Sequence, residues 1–163
     1  MPYKTSRSTM TIRTTICHIL KGNQILLKFG SRSISKGKWN GPGGKIEGDE
    51  TPEQNAIREV YEETGLRVNS MTYHGTLKFY MNGTKDLTIL NYLFSTRDFD
   101  GNPRSSEEGE VKWFDISKLP YEKMFPDDKY WINIMLSGQI FDAEFYLDKS
   151  NTQVLDNKII IKE

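Results

Sequence analysis

The sequence predicts an α/β (α+β) sandwich. Strand-like stretches lie on both sides of one strongly marked helix, and a second helical stretch comes late in the chain. No internal repeat, low-complexity tract or linker interrupts them. Helices packed on a sheet fit that order better than a barrel of hairpins.

Residues 1–10 are polar and expected to be loosely held. Thr11 to Leu20 is rich in β-branched residues and reads as a strand. Gly22-Asn23 is a turn signal, and Gln24 to Phe29 completes a hairpin. Residues 30–44 hold Gly, Ser, Lys and Pro and read as a long loop, a feature that in a compact domain tends to be functional. Thr51 is placed to cap a helix, Pro52 suits its first position, and Gln54 completes a capping box. Gly65 is placed to end it. Arg67 to Tyr80 and Asp86 to Ser95 read as strands around a turn at Asn82-Gly83. A polar loop at 97–109 precedes a short strand from Glu110 to Phe114. Pro126 to Leu136 reads as the second helix, stopped by Ser137-Gly138. Ile140 to Leu147 and Val154 to Ile161 read as a final strand pair.

A length of 163 residues suits one domain spanning the chain. Lys plus Arg number 22 and Asp plus Glu number 22, and that balance argues against a general grip on nucleic-acid backbone. Cys17 is the only cysteine, so no internal disulfide forms and a reducing, cytoplasmic compartment is expected. The polar N-terminus lacks a signal-peptide core, and no apolar run approaches a membrane span. A monomer or small homo-oligomer without membrane or stable nucleic-acid partners is the expectation.

The stretch GKIEGDETPEQNAIREVYEETGL, residues 44–66, carries Glu59, Glu62 and Glu63 with Arg58 beside them. Like charges at helical i,i+4 spacing cost about 0.2–0.5 kcal/mol per pair. At about 100° per residue, Glu62 and Glu63 fall near −60° and +40° of Glu59. Ala56, Ile57, Val60 and Tyr61 cover much of the remaining circumference and are expected to face the sheet. A carboxylate ridge beside an open loop suits a hard cation such as Mg²⁺ that also holds phosphates. A solvated face with ordinary salt bridges is the bland alternative for three glutamates alone.

The spacing of the whole segment goes further. Gly44, five residues, Glu50, seven residues and then Arg58-Glu-Val-Tyr-Glu-Glu-Thr-Gly-Leu66 match the Nudix box at each defining position. The chain resembles a Nudix hydrolase. That resemblance implies an α/β/α sandwich with a mixed sheet and hydrolysis of a nucleotide diphosphate linkage. It implies that Glu59, Glu62 and Glu63 bind Mg²⁺ or Mn²⁺, with Gly44 at the metal, and that Arg58 orients the glutamates, pairing with Glu50. Gly43 and Gly44 let backbone approach metal and phosphate closely, as the lack of a Cβ permits. A further carboxylate from a distant loop is expected; Glu110 is the candidate, with Glu107 and Glu108 as rivals.

Two flanking stretches, Lys38-Trp39-Asn40-Gly41-Pro42-Gly43-Gly44-Lys45 and Leu119 to Trp131, look like the 8-oxo-dGTP diphosphatase branch, the oxidised purine nucleoside triphosphatases. By that resemblance Asn40, Asp127 and Asp128 contact the base and Phe125 stacks on it. Phe125 stands where the branch usually has Trp, a departure that bears on stacking and base preference. Phe79 and Trp131 are candidates to line the pocket, with plain core packing as the alternative. Residue chemistry agrees: guanine shows two donors on one edge, which paired carboxylates accept, one of them protonated. The bland alternative is that Asp127 caps the second helix. The expected product is a monophosphate plus pyrophosphate, in a role of clearing damaged nucleotides.

Dinucleoside polyphosphate and capped-RNA hydrolases share the box and stay open as alternatives, and a non-enzymatic nucleotide sensor needs a broken box. His18 and His74 are read as core or surface residues rather than zinc ligands. Lys36, Lys38 and Lys45 serve either solubility or local phosphate attraction.

Overall fold

The computed structural model describes residues 10–31, 35–107 and 109–163. The expectation for the chain start, Met10 apart, falls outside these residues. The strands are β1 (Ile12–Lys21), β2 (Gln24–Gly30), β3 (Trp39–Asn40), β4 (Gly43–Lys45), β5 (Arg67–Tyr80), β6 (Ile89–Asp100), β7 (Gly109–Asp115), β8 (Ile140–Leu147) and β9 (Val154–Lys162). The helices are α1 (Pro52–Thr64) and α2 (Asp128–Leu136), the latter preceded by short 3-10 turns at Ile116–Lys118 and Tyr121–Lys123.

The strands form a mixed sheet in the order β3-β2-β1-β6-β5-β8-β9, with β4 on β1 and β7 on β2. The pairs β1–β6 and β5–β8 are parallel and the rest antiparallel. Alternation along β2 sorts the core to the two faces. Leu26 joins Cys17, Ile19, Ala56, Val60, Leu66 and Phe94 beneath α1. Ile25 and Leu27 join Leu77, Leu93, Trp131, Ile132, Phe141 and Phe145 beneath α2. The α/β/α sandwich expected from the sequence is therefore what the chain forms.

α1 starts as its sequence dictates. Gln54 N donates to Thr51 Oγ1 at 3.1 Å, and Thr51 N donates to Gln54 Oε1 at 3.0 Å. Gly65 ends the helix at φ 81°, in the left-handed region that favours glycine. One detail differs. Ala56 and Val60 are buried, but Ile57 and Tyr61 are each 40% exposed. The buried arc instead includes Asn55, Glu63 and Thr64, because β1 and β4 press on the polar side of the helix.

The segment read as a loop over 30–44 contains β3 and β4. β1 and β2 pair only from Ile19↔Leu26 to Lys21↔Gln24 and then splay. β4 takes the vacated edge of β1 through Thr15↔Gly44, while β3 follows β2 through Lys28↔Asn40. β6 runs on to Asp100, past the expected loop boundary. There Asp98 accepts hydrogen bonds from Ser70 Oγ at 2.7 Å and Asn69 Nδ2 at 3.2 Å, so polar side chains continue the pairing. α2 starts at Asp128 rather than Pro126.

Candidate active site

The splay between β1 and β2 opens a cavity of ≈ 260 Å³. Asn40, Gly43, Gly44, Phe79, Phe125, Asp127 and Asp128 line it. α1 borders the Gly43–Gly44 end. A Cβ on Gly43 would collide with the Thr15 carbonyl, and one on Gly44 would sit 2.6 Å from the Glu59 carboxyl carbon. Only glycine leaves backbone this close to the ridge.

Arg58 organises the ridge. Its Nε donates to Glu50 Oε2 at 2.6 Å and its Nη2 to Glu50 Oε1 at 3.0 Å, a bidentate fork. This clamp holds the Glu50 carboxyl down at about 2. Arg58 Nη1 also reaches Glu62 at 3.1 Å and Glu59 at 3.3 Å. Asn55 ties the clamp to the sheet, donating to Glu50 Oε1 and the Lys45 carbonyl and accepting from Thr15 Oγ1.

Glu59 and Glu63 share a hydrogen bond, and burial followed by the Glu63 charge pushes the Glu59 carboxyl up to about 8. Two carboxyls touch in this way only with a proton or cation between them. Burial also raises Glu63, opposed by Lys28 and by the Gly43 N–H, which donates to Glu63 Oε1 at 3.1 Å. Such a pair of hard oxygen donors fits a divalent cation. Among the described residues no group of three acidic, His or Cys side chains is already gathered for one. The reason is visible in Glu62, which leans to Arg58 and is half exposed. An exposed i,i+4 pair is worth only about 0.3–0.5 kcal/mol, so releasing Glu62 costs little.

Asp127 and Asp128 are buried among aromatic side chains. Asp127 makes no capping hydrogen bond. Its Oδ2 accepts instead from Trp131 Nε1 at 2.8 Å, so the simple capping alternative is not what the side chain does. Asp128 Oδ2 accepts from the Phe125 N–H at 3.1 Å. Burial pushes Asp127 up to about 6, and burial plus the Asp127 charge raises Asp128 well above the usual carboxylate range. The pair therefore keeps a proton into the neutral range and offers both a donor and an acceptor.

Two predicted residues sit elsewhere. Trp131 is a buried core residue on the sheet-facing side of α2, and it backs Asp127 rather than lining the cavity. Glu110 lies opposite Phe29 in the β2–β7 register, so it shares the face of Phe29 and Trp39, not that of Lys28 and Glu63. It is exposed. Glu107 is exposed in a turn, and Glu108 lies outside the described residues. Lys38 places its Nζ 5.8 Å from the Phe125 ring centre.

Several lining residues were missed, Lys28, His18 and Asn91 among them. Lys28 pairs with Glu63, and its signal was a lone lysine inside the apolar run ILLKFG. His18 and Asn91 line the same cavity, and His18 Nδ1, Asn91 Oδ1 and Asn40 Oδ1 lack hydrogen-bond partners among the described residues. Burial, then the His74 charge, lowers His18 to about 3, so its ring is neutral.

The chain has known relatives. The NUDIX domain model matches residues 10–133. The oxidized purine nucleoside triphosphate hydrolase of Danio rerio is 37% identical over 131 residues, covering 80% of this chain and 83% of that protein. Its counterpart in Mus musculus is 33% identical over 138 residues, covering 85% and 88%. Among solved structures, the mutator MutT protein of Bacillus halodurans superposes with a TM-score of 0.79 at 24% identity, over 91% of this chain and 97% of that one; this likeness speaks for the fold alone. With an acidic ridge on α1, a glycine strand facing it and a family match over most of its length, the chain belongs to the Nudix hydrolases.

Proposed function

We propose that this protein is a Mg²⁺- or Mn²⁺-dependent pyrophosphohydrolase of purine nucleoside triphosphates, with oxidised purines such as 8-oxo-dGTP preferred, releasing a monophosphate and pyrophosphate. The observation that carries the reading is the buried Asp127–Asp128 pair at one part of a cavity whose other part meets Gly43, Gly44 and the ridge. A guanine-type edge presents N1–H and an amine, and the pair accepts both while its retained proton serves a base carbonyl. Phe125 and Phe79 offer ring faces, and stacking is commonly worth about 1–3 kcal/mol per base. Asn40 contributes an amide with an unpaired oxygen.

The base so held directs its phosphates toward Gly43 and Gly44, where backbone approaches without a Cβ. Glu59, Glu62 and Glu63 would hold the divalent ion, which when bound polarises phosphoryl oxygens and activates water. Arg58 keeps the ridge oriented through Glu50. The names of the zebrafish and mouse relatives support the substrate class.

A panel of nucleotides with Mg²⁺, scored for pyrophosphate against phosphate, tests this. We expect pyrophosphate release, with kcat/KM for 8-oxo-dGTP above that for dGTP. Turnover restricted to dinucleoside polyphosphates or capped RNA, or no preference for the oxidised base, would overturn it.

A further inference from the structure

We propose that Lys28 is a movable counter-ion: it holds Glu63 in the metal-free site and passes to the substrate's phosphate chain when a divalent ion takes Glu63. The inference rests on the nucleotide-hydrolase reading above. It makes capture of metal and capture of phosphate one coupled event.

Lys28 sits in the middle of β2, between Leu27 and Phe29, and projects to the α1 side of the sheet. Its side chain is 11% exposed and that of Glu63 is 5% exposed. Lys28 Nζ lies 3.2 Å from Glu63 Oε2, while Glu63 Oε1 accepts from the Gly43 N–H. Both oxygens of Glu63 are thus engaged, and a divalent ion at Oε2 would meet the Lys28 charge directly. Among the described residues Glu63 is the only carboxylate within ion-pair distance of Lys28. A buried ammonium stripped of its partner is strongly destabilising, so Lys28 needs a new anion as it leaves. It lines the cavity beside Gly43 and Gly44 and is paired in register with Asn40. The same cavity is lined by Asp127 and Asp128, so a nucleotide held there comes within the cavity that Lys28 also lines. A lysine stem is flexible and its head is a compact charge with three donors, which suits a change of partner.

Two variants test the proposal, with thermal melting used to confirm that each folds. The first readout is the Mn²⁺ dissociation constant of nucleotide-free protein, from the electron paramagnetic resonance signal of free Mn²⁺. Lys28→Met removes the competing charge and should tighten Mn²⁺ binding about tenfold. Lys28→Arg grips Glu63 with a planar fork and should weaken it. The second readout is steady-state kinetics at saturating Mg²⁺ with the best nucleotide of the panel. Lys28→Met should raise KM about tenfold or more, the scale of a lost charge-assisted contact. Unchanged Mn²⁺ affinity in both variants would overturn the proposal. So would weaker Mn²⁺ binding in Lys28→Met, which would make the lysine a fixed support for Glu63. If the wild-type protein itself neither binds Mn²⁺ nor hydrolyses nucleotides, the proposed function fails and the inference with it. If the wild type does both and the variants match it, only the role of Lys28 falls.

Discussion

Two adjacent buried carboxyls cannot both ionise without a large desolvation cost. Asp127 and Asp128 are such a pair, and their raised pKa values have a definite sign in stability. The folded chain holds their proton more tightly than the unfolded chain. Their contribution is fully present below about pH 4, the unfolded range, and is lost as pH rises through about 6 for Asp127 and higher for Asp128. His18 acts oppositely, because the unfolded chain takes up a proton below about pH 6.5 that the buried ring refuses until about 3. Melting curves of Asp128→Asn and wild type separate the two effects. Asp128→Asn should gain stability relative to wild type as pH rises from 4 to 8, and its kcat/KM should change more between bases than in sum. A difference curve flat with pH would contradict the buried-pair account. A second test concerns the ridge. Glu62→Gln removes a charge from an exposed side chain, so melting should barely move while turnover falls by at least about 10²-fold, the scale of a missing catalytic electrostatic contact. Near wild-type turnover would count against a metal role for Glu62.

α1 was legible almost to the residue, because each of its signals is local. Thr51, Pro52, Gln54 and Gly65 act within a few positions of one another, and the box spacing places its carboxylates on one arc. Thr51→Ala should cost about 1 kcal/mol, read by denaturant unfolding at constant m-value. β3 and β4 were not legible: strands of two and three residues, two of them glycine, carry no alternation to read. Their existence depends on β1 and β2 splaying, a tertiary event. The same event decides that Ile57 and Tyr61 stay exposed while Asn55 and Glu63 go in. It also explains why Lys28, in an otherwise apolar strand, escaped notice: its partner lies 35 residues away, on α1. Glu110 was misplaced for a simpler reason. Which face of β7 it takes depends on register with β2, and a one-residue change reverses it. Gly44→Ala tests the element directly. The new methyl would meet the Glu59 carboxyl, so activity should fall by about 10²-fold or more with a modest melting shift. Activity retained in that variant would mean the ridge moves freely.

At the scale of the molecule, ligand binding and folding are one balance. A metal at about 100 times its Kd adds about 2.7 kcal/mol, which for a chain of this size raises Tm by about 5–10 °C. Mn²⁺ titrations followed by melting should show this rise in wild type and a smaller one in Glu62→Gln. An absent shift in wild type would argue against a bound divalent ion. The parallel pairing of β1 with β6 has its own consequence. It runs from Ile12↔Ile89 to Ile19↔Thr96, so the edge that supports Thr14, Thr15 and Ile16 is completed by residues far downstream. A ribosome that has released only the first eighty residues presents every glutamate of the box and no working enzyme. Until the later strand arrives, that flank of β1 has no backbone partner from β6 and the floor of the catalytic end stays unfinished.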